Sequence, residues 1–181
     1  NPFAGRELDI AITPATTPKK LAVIGAGPAG MSAALTAAEC GHRVTLFEAA
    51  ATLGGQFNLA KRIPGKEDFD ETIRYFQTRL PAAGVDVRLN TAASADELAK
   101  DGFDHVIVAT GVTPRALTVD GADGPNVITY IDALTDAKPV GQRVAIIGAG
   151  GIGFDVAEYL TSPHSSPVSI DNFLAHWGID P

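Results

Sequence analysis

A glycine run near the start of the chain carries the clearest chemical signal, Gly25-Ala26-Gly27-Pro28-Ala29-Gly30. It has the spacing G-x-G-x-x-G, follows a short apolar run and precedes a stretch of small residues typical of a helix. The first glycine permits a tight turn, the second lets the backbone approach a pyrophosphate, and the third lets the helix pack closely on the strand. Pro28 suits the first helical position, because a missing N–H costs nothing there. The free N–H groups and the helix dipole then favour an anion, so the run predicts a dinucleotide phosphate site.

Glu48 is the second chemical signal in the sequence. It lies 18 residues after Gly30, at the end of a predicted strand over residues 44–48. An acidic residue about 20 positions after the glycine run accepts hydrogen bonds from ribose hydroxyls. Its charge would repel a 2′-phosphate, so this site suits FAD or NAD rather than NADP.

Two further small-residue turns follow in order. Gly54-Gly55-Gln56-Phe57 lies on a loop, and Ala109-Thr110-Gly111 ends a predicted strand over residues 103–109. Turns without bulky side chains let the backbone approach a ligand. Each turn alone is a weak signal, but their order after the glycine run favours contacts with a flavin dinucleotide.

A second glycine run repeats the first, Gly148-Ala149-Gly150-Gly151-Ile152-Gly153. It follows a predicted buried strand over residues 144–148 and precedes a predicted helix, which indicates a nicotinamide dinucleotide site. Asp171 lies 18 residues after Gly153, but residues 168–170 are too short and too closely flanked by prolines to form the required second strand. The residues therefore leave open the choice between NADP and NAD.

These signals predict an α/β fold, a Rossmann-like FAD/NAD(P)-binding domain with a central parallel sheet and the start of a second nucleotide-binding domain. Residues 1–18 are expected to form an extended arm, residues 19–137 the FAD-binding domain and residues 138–181 the incomplete start of an NADPH-binding domain. Further strands are predicted at 21–25, 85–89 and 125–130, and helices at 28–40, 68–83, 131–136 and 172–177. A generic α/β domain without a ligand is the alternative.

Composition excludes several classes of function. The net charge of −7 offers no basic track for nucleic acid, and no apolar run reaches the ~18 residues that span a bilayer. No signal peptide is recognisable at the start. A single cysteine, Cys40, suits a reducing cytoplasm. The four histidines show no metal spacing and no catalytic triad is apparent, so we expect neither a metal site nor a catalytic side chain.

The chain resembles the 2,4-dienoyl-CoA reductase family, NADPH-dependent iron–sulfur flavoenzymes grouped with trimethylamine dehydrogenase and old yellow enzyme. The resemblance rests on the residues already described together with residues 54–58, 63–67 and 145–155. It implies an N-terminal TIM barrel with FMN and a 4Fe–4S cluster, outside this chain. NADPH would reduce FAD here, and the barrel would reduce 2,4-dienoyl-CoA during fatty acid β-oxidation. The resemblance also implies a further sheet strand from elsewhere, so an exposed apolar edge is expected.

The same resemblance assigns individual positions to the two cofactors. Those matching FAD contacts are Gly25, Gly27, Ala29, Glu48, Gly55, Gln56, Thr110 and Gly111. Lys61 is a weaker candidate for a flavin-side phosphate or ring, and Ala93 corresponds to a backbone position near adenine. Those matching the NADPH loop are Gly148, Gly150, Gly151, Ile152 and Gly153.

Three alternatives remain open. The chain could serve a trimethylamine dehydrogenase relative or another NADH:flavin oxidoreductase. It could belong to a glutamate synthase small subunit, which would carry cysteine clusters before the first glycine run. It could also be a nucleotide-binding structural domain without redox work.

Overall fold

The fold is known from a computed structural model that describes residues 4–162 and 170–179. The chain forms two compact units. The first unit comprises Asn1–Asn58 and Asp68–Leu117, and the second comprises Leu59–Glu67 and Thr118–Pro181. The boundaries predicted above between an arm, an FAD-binding domain and an NADPH-binding domain stay predictions.

The first unit is built on a four-stranded parallel sheet. The elements in chain order are β1 (Lys20–Ile24), α1 (Pro28–Glu39), β2 (Arg43–Phe47), α2 (Phe57–Ala60), α3 (Phe69–Ala82), β3 (Asp86–Arg88), α4 (Ala95–Lys100) and β4 (His105–Val108). Helix α2 begins in the first unit and ends in the second, because the boundary falls between Asn58 and Leu59. The strand order is β3-β2-β1-β4, and every pair is parallel. This confirms the predicted α/β fold with a central parallel sheet. Residues 4–18, within the predicted arm, contain no helix or strand.

The core of this unit lies between one sheet face and α1. Val23 pairs with Leu46 on one side and Ile107 on the other, and these side chains pack in one cluster with Met31 and Ala34 of α1. Small residues along α1 permit this close approach, because each short side chain brings the helix axis nearer to the sheet.

Strand β4 ends the sheet on one side. Val106 and Val108 lie on the other sheet face from Ile107 and are 44% and 73% exposed. This agrees with the apolar edge that the family resemblance leads us to expect.

The second unit contains α5 (Tyr130–Leu134), α6 (Gly151–Thr161) and α7 (Ile170–His176). Ile63, Leu134, Val156 and Tyr159 form its buried hydrophobic cluster, and Ala133 is also buried. The predicted helices at 131–136 and 172–177 are therefore present with slightly shifted bounds. The rejected strand at 168–170 falls partly outside the described residues, and Ile170 begins α7.

Two predicted strands of this unit are wrong. Residues 144–148 have no strand partner, and Val144 and Ile147 are 49% and 74% exposed. A strand requires hydrogen bonds to a neighbour, and the described residues supply none here. Residues 125–130 form a turn and a helix start instead. There the Thr129 hydroxyl accepts from the Asp132 N–H while the Asp132 carboxylate accepts from the Thr129 N–H, a capping box that favours the helix.

Candidate functional site

The first glycine run forms a tight turn between β1 and α1. Gly25 has φ +100°, and its N–H donates to the Phe47 carbonyl at 2.8 Å. A Cβ added at Gly25 would lie 2.5 Å from the Ala109 carbonyl oxygen. A side chain is therefore excluded by both the left-handed backbone and the neighbouring chain after β4. Ala109 thus lies directly behind the turn.

Gly30 meets the same turn from the helix side. A Cβ on Gly30 would overlap the Gly25 carbonyl and lie 3.4 Å from the Ala109 Cβ. Glycine at this position allows α1 to pack against the turn, as the motif requires.

Gly27 differs from both neighbours in its surroundings. It is the N-cap of α1 with φ −72° and ψ −179°, and a Cβ added to it would meet nothing within 4 Å. Pro28 occupies the first helical turn, Ala29 is exposed, and that turn has no acidic residue and no side-chain cap. The N-terminus of α1 therefore faces open space and has no side-chain cap, an arrangement suited to an anion.

The Glu48 carboxylate lies against this turn. Its Oε2 accepts from the Ala26 N–H at 2.7 Å, and its Oε1 accepts from the Ala50 N–H at 2.8 Å. The Glu48 side chain is thereby fixed beside the glycine run, and its contact with a ribose stays a prediction. The Glu48 carbonyl also accepts from the Thr91 N–H at 2.8 Å. Half-buried Ala93 follows two residues later, so the predicted adenine position lies on the segment that starts beside Glu48.

The loop at residues 54–56 lies against the glycine run. The Gly54 N–H donates to the Ala26 carbonyl at 2.9 Å, and a Cβ on Gly55 would lie 2.9 Å from Gly27 Cα. The Gln56 Nε2 donates to the Val112 carbonyl at 3.0 Å. Gln56 therefore joins this loop to the one after β4.

That second loop carries the remaining predicted positions of the first unit. Thr110 is exposed, and Gly111 has φ +73°. The structure thus brings together residues 25–30, 48, 54–56 and 109–112 at the carboxyl ends of the strands, where ligands bind in open α/β sheets. Lys61 belongs to the second unit, and its role at the flavin stays a prediction.

Two residues of this site were not predicted from the sequence. Ala26 contributes its N–H to Glu48 and its carbonyl to Gly54, while Val112 contributes its carbonyl to Gln56. Both act through main-chain atoms, so their side chains carry no signal. For Ala26 the position inside the glycine run was the one available indication.

The second glycine run has nearly the same local conformation as the first. Gly148 has φ +118°, and Gly150 is the N-cap of α6 with φ −87° and ψ 179°. A Cβ on Gly153 would overlap the Gly148 carbonyl, whereas Gly150 and Gly151 have nothing within 4 Å. Ile152 is exposed. The helix start of α6 therefore presents the same open anion-binding geometry as that of α1.

The described residues contain neither a metal-binding cluster nor a membrane-spanning helix. That part of the chain holds no group of three or more His, Cys, Asp or Glu side chains placed to bind a metal ion. It also has no helix with both the length and the apolar character needed to cross a membrane.

Comparison with known proteins identifies the family. Residues 19–171 match the family model described as pyridine nucleotide-disulphide oxidoreductase. The chain belongs to this family. It is 39% identical over 165 residues to cinnamate reductase of Clostridium sporogenes, covering 88% of this chain and 24% of that protein. It is 37% identical over 185 residues to NADH oxidase of Thermoanaerobacter brockii, covering 99% of this chain and 28% of that protein.

A solved structure shows the same fold. The complex of 2-naphthoyl-CoA reductase with 2-naphthoyl-CoA matches with a TM-score of 0.84 and 35% identity, over 98% of this chain and 29% of that one. The chain is thus an FAD/NAD(P)-binding oxidoreductase module related to NADH:flavin oxidoreductases. It spans about a quarter of the length of the curated relatives it matches.

Proposed function

We propose that this chain is the FAD-binding, NADPH-accepting electron-input module of a larger reductase of the 2,4-dienoyl-CoA reductase type. One observation carries the FAD site: Gly27 faces open space at a helix N-terminus while Glu48 is fixed beside the same turn. An internal packing role would instead fill the space at Gly27 with protein atoms, as it does at Gly25 and Gly30.

Each cofactor would be bound by a separate set of residues. The backbone at Gly27 and the first turn of α1 would hold the FAD diphosphate, and Glu48 would accept from the adjoining ribose hydroxyls. The backbone at Gly150 and the first turn of α6 would hold the nicotinamide dinucleotide. When both are bound, the cofactors supply hydride transfer from nicotinamide to flavin, so the protein contributes binding and orientation. We therefore assign no side chain as acid or base.

The finer assignment rests on the family resemblance. The resemblance favours NADPH over NADH. It also implies FMN and a 4Fe–4S cluster in an N-terminal TIM barrel, with 2,4-dienoyl-CoA as substrate in fatty acid β-oxidation. The single cysteine, Cys40, favours a cytoplasmic location. The similarity to 2-naphthoyl-CoA reductase supports this choice, because the name of that protein also specifies a coenzyme A thioester of an unsaturated acid.

A second candidate is the same module in a reductase with a different unsaturated substrate. Cinnamate reductase is 39% identical to this chain, and its name specifies a free acid rather than a thioester. The residues described here bind cofactors in either case, so the substrate depends on the rest of the larger protein.

Anaerobic spectroscopy of the whole polypeptide that carries this chain tests the cofactor assignment, because residues 138–181 form only the start of the predicted NADPH-binding domain. We expect added FAD to bind, its visible absorbance to bleach with NADPH, and NADH to act more weakly. A chain that binds FAD without bleaching by either nucleotide would support the non-redox alternative. For the substrate, the whole polypeptide that carries this chain would be assayed with 2,4-dienoyl-CoA and with cinnamate. Faster turnover of cinnamate would contradict the thioester assignment.

A further inference from the structure

A nine-residue segment of the second unit comes from an early part of the chain. Leu59–Glu67 separates two stretches of the first unit but packs in the second. Its Ile63 is 1% exposed and lies in one cluster with Leu134, Val156 and Tyr159. Val156 and Tyr159 are the buried residues of α6, so this segment supplies part of the surface on which α6 rests.

Two charged side chains of the segment, Arg62 and Lys66, contact residues of α6. The Arg62 Nη2 donates to the Tyr159 Oη at 3.1 Å and forms an ion pair with Asp136, which also accepts from the Tyr159 hydroxyl at 3.1 Å. The Lys66 Nζ lies 2.6 Å from the Asp155 Oδ1, with the two side chains 39% and 33% exposed. Arg62 thus acts on the C-terminal half of α6, whereas Lys66 acts on its N-terminal half.

The position of Asp155 links the Lys66 ion pair to the second glycine run. Asp155 lies in the second turn of α6, two residues after Gly153. The residues before the helix provide little restraint, because 144–148 form no strand and are exposed. Lys66 therefore restrains α6 near its N-terminus, next to the Gly148–Gly153 turn whose amides face open space.

We propose that Lys66 is a positioning residue for nicotinamide dinucleotide binding, acting through its ion pair with Asp155. This inference rests on the proposed function of the Gly148–Gly153 turn. In some orientations of α6 the Gly148–Gly153 turn would be unable to bind the dinucleotide. The measured dissociation constant then rises by the inverse of the fraction of molecules that are in the binding orientation. The ion pair raises that fraction without any contact between Lys66 and the nucleotide.

Charge reversal separates this role from direct phosphate binding. A positioning pair works with either polarity, so the double variant Lys66→Glu with Asp155→Lys restores affinity that Lys66→Glu alone loses. A lysine that contacts a phosphate directly cannot be replaced by glutamate, so the double variant would stay weak. Lys66→Arg keeps the ion pair and should retain affinity.

The experiment uses the whole polypeptide that carries this chain, with NADPH as the probe. Hydrogen exchange of the amides at 151–161 is measured without nucleotide, and NADPH affinity is measured by calorimetry. For Lys66→Gln we expect faster exchange in α6 and an affinity lower by up to about fivefold, the upper end of the range for a partly exposed ion pair. Lys138→Gln is the matched control, since it removes the ion pair with Asp132 in the same unit, which does not involve α6.

These results test the positioning role of Lys66 and the proposed nicotinamide site separately. Unchanged exchange in α6 for Lys66→Gln would overturn the positioning role, and so would a charge-reversed double variant that stays weak. Absence of NADPH binding by the unaltered chain would refute the proposed nicotinamide site. In that case faster exchange in Lys66→Gln, restored by charge reversal, would still support the positioning of α6.

Discussion

Substitution of Gly27 by alanine separates ligand binding from folding more sharply than any other change in the first site. Gly27 has φ −72° and ψ −179°, a conformation that alanine adopts without strain. The added methyl would meet no protein atom within 4 Å. It would project into the open space where we place the diphosphate, so the variant should fold normally and bind FAD weakly.

The expected magnitudes follow from this geometry. Alanine is a poorer N-cap than glycine by up to about 1 kcal/mol. Reduced entropy of the unfolded chain offsets this by about 0.4–1 kcal/mol, so the free energy of unfolding should change by less than about 1 kcal/mol. Displacing one charge-assisted hydrogen bond to a phosphate costs about 1.5–3 kcal/mol. We therefore expect FAD affinity to fall by about ten- to a hundredfold.

The assay combines urea unfolding, followed by circular dichroism, with equilibrium dialysis against FAD. Gly150→Ala is the matched variant, because Gly150 has the same backbone conformation at the start of α6 and equally open surroundings. It should weaken NADPH binding and leave FAD binding unchanged. If Gly27→Ala folds normally and binds FAD as tightly as the unaltered chain, the diphosphate does not lie at this turn and the reasoning is refuted.

Three further predictions follow from individual contacts. Glu48→Gln should lower FAD affinity about tenfold in the same dialysis, because a neutral amide replaces a charge-assisted acceptor; unchanged affinity would contradict a ribose role. Gly30→Ala should destabilise the chain by more than about 3 kcal/mol in urea unfolding, since its Cβ would overlap the Gly25 carbonyl; a normal unfolding midpoint would be inconsistent with the close helix packing. The Lys20 N–H donates to the Asp104 carboxylate at 2.7 Å and lowers the pKa of Asp104. The resulting stabilisation is therefore present above the ordinary pKa of an aspartate and is lost as pH falls through the lowered value. The melting temperature of Asp104→Asn should accordingly depend less on pH in the acidic range than that of the unaltered chain, and an equal dependence would exclude this contribution.

Sequence alone predicted the four strands and the two long helices of the first unit because their signals are local, whereas the short helices α2 and α4 were not predicted. The apolar run before Gly25, the small residues of α1 and the periodic pattern before Gly84 each give an element that the structure contains. Here each local preference agrees with the tertiary environment, which is the condition for a sequence to specify its fold. The glycine spacing predicted the turn and the open helix start for the same reason.

The failures concern strands whose formation depends on a partner. Residues 144–148 have the composition of a buried strand, but composition indicates only that burial is favourable and not that a neighbouring strand is present. At 125–130 the capping box of Thr129 and Asp132 was readable in the sequence, and its local hydrogen bonds outweigh a weak strand preference.

The sequence by itself determined which backbone positions can bend and approach a phosphate, because glycine conformations depend on the absence of a Cβ alone. Tertiary structure decided which of these positions are open and which are filled. It set Gly25 and Gly30 against neighbouring chain while leaving Gly27 free, and it brought the Glu48 carboxylate to the Ala26 amide. It also brought Lys66 to Asp155 of α6, which lies 89 positions later in the chain. Such contacts join residues distant in sequence, so their geometry depends on the packing of the whole unit.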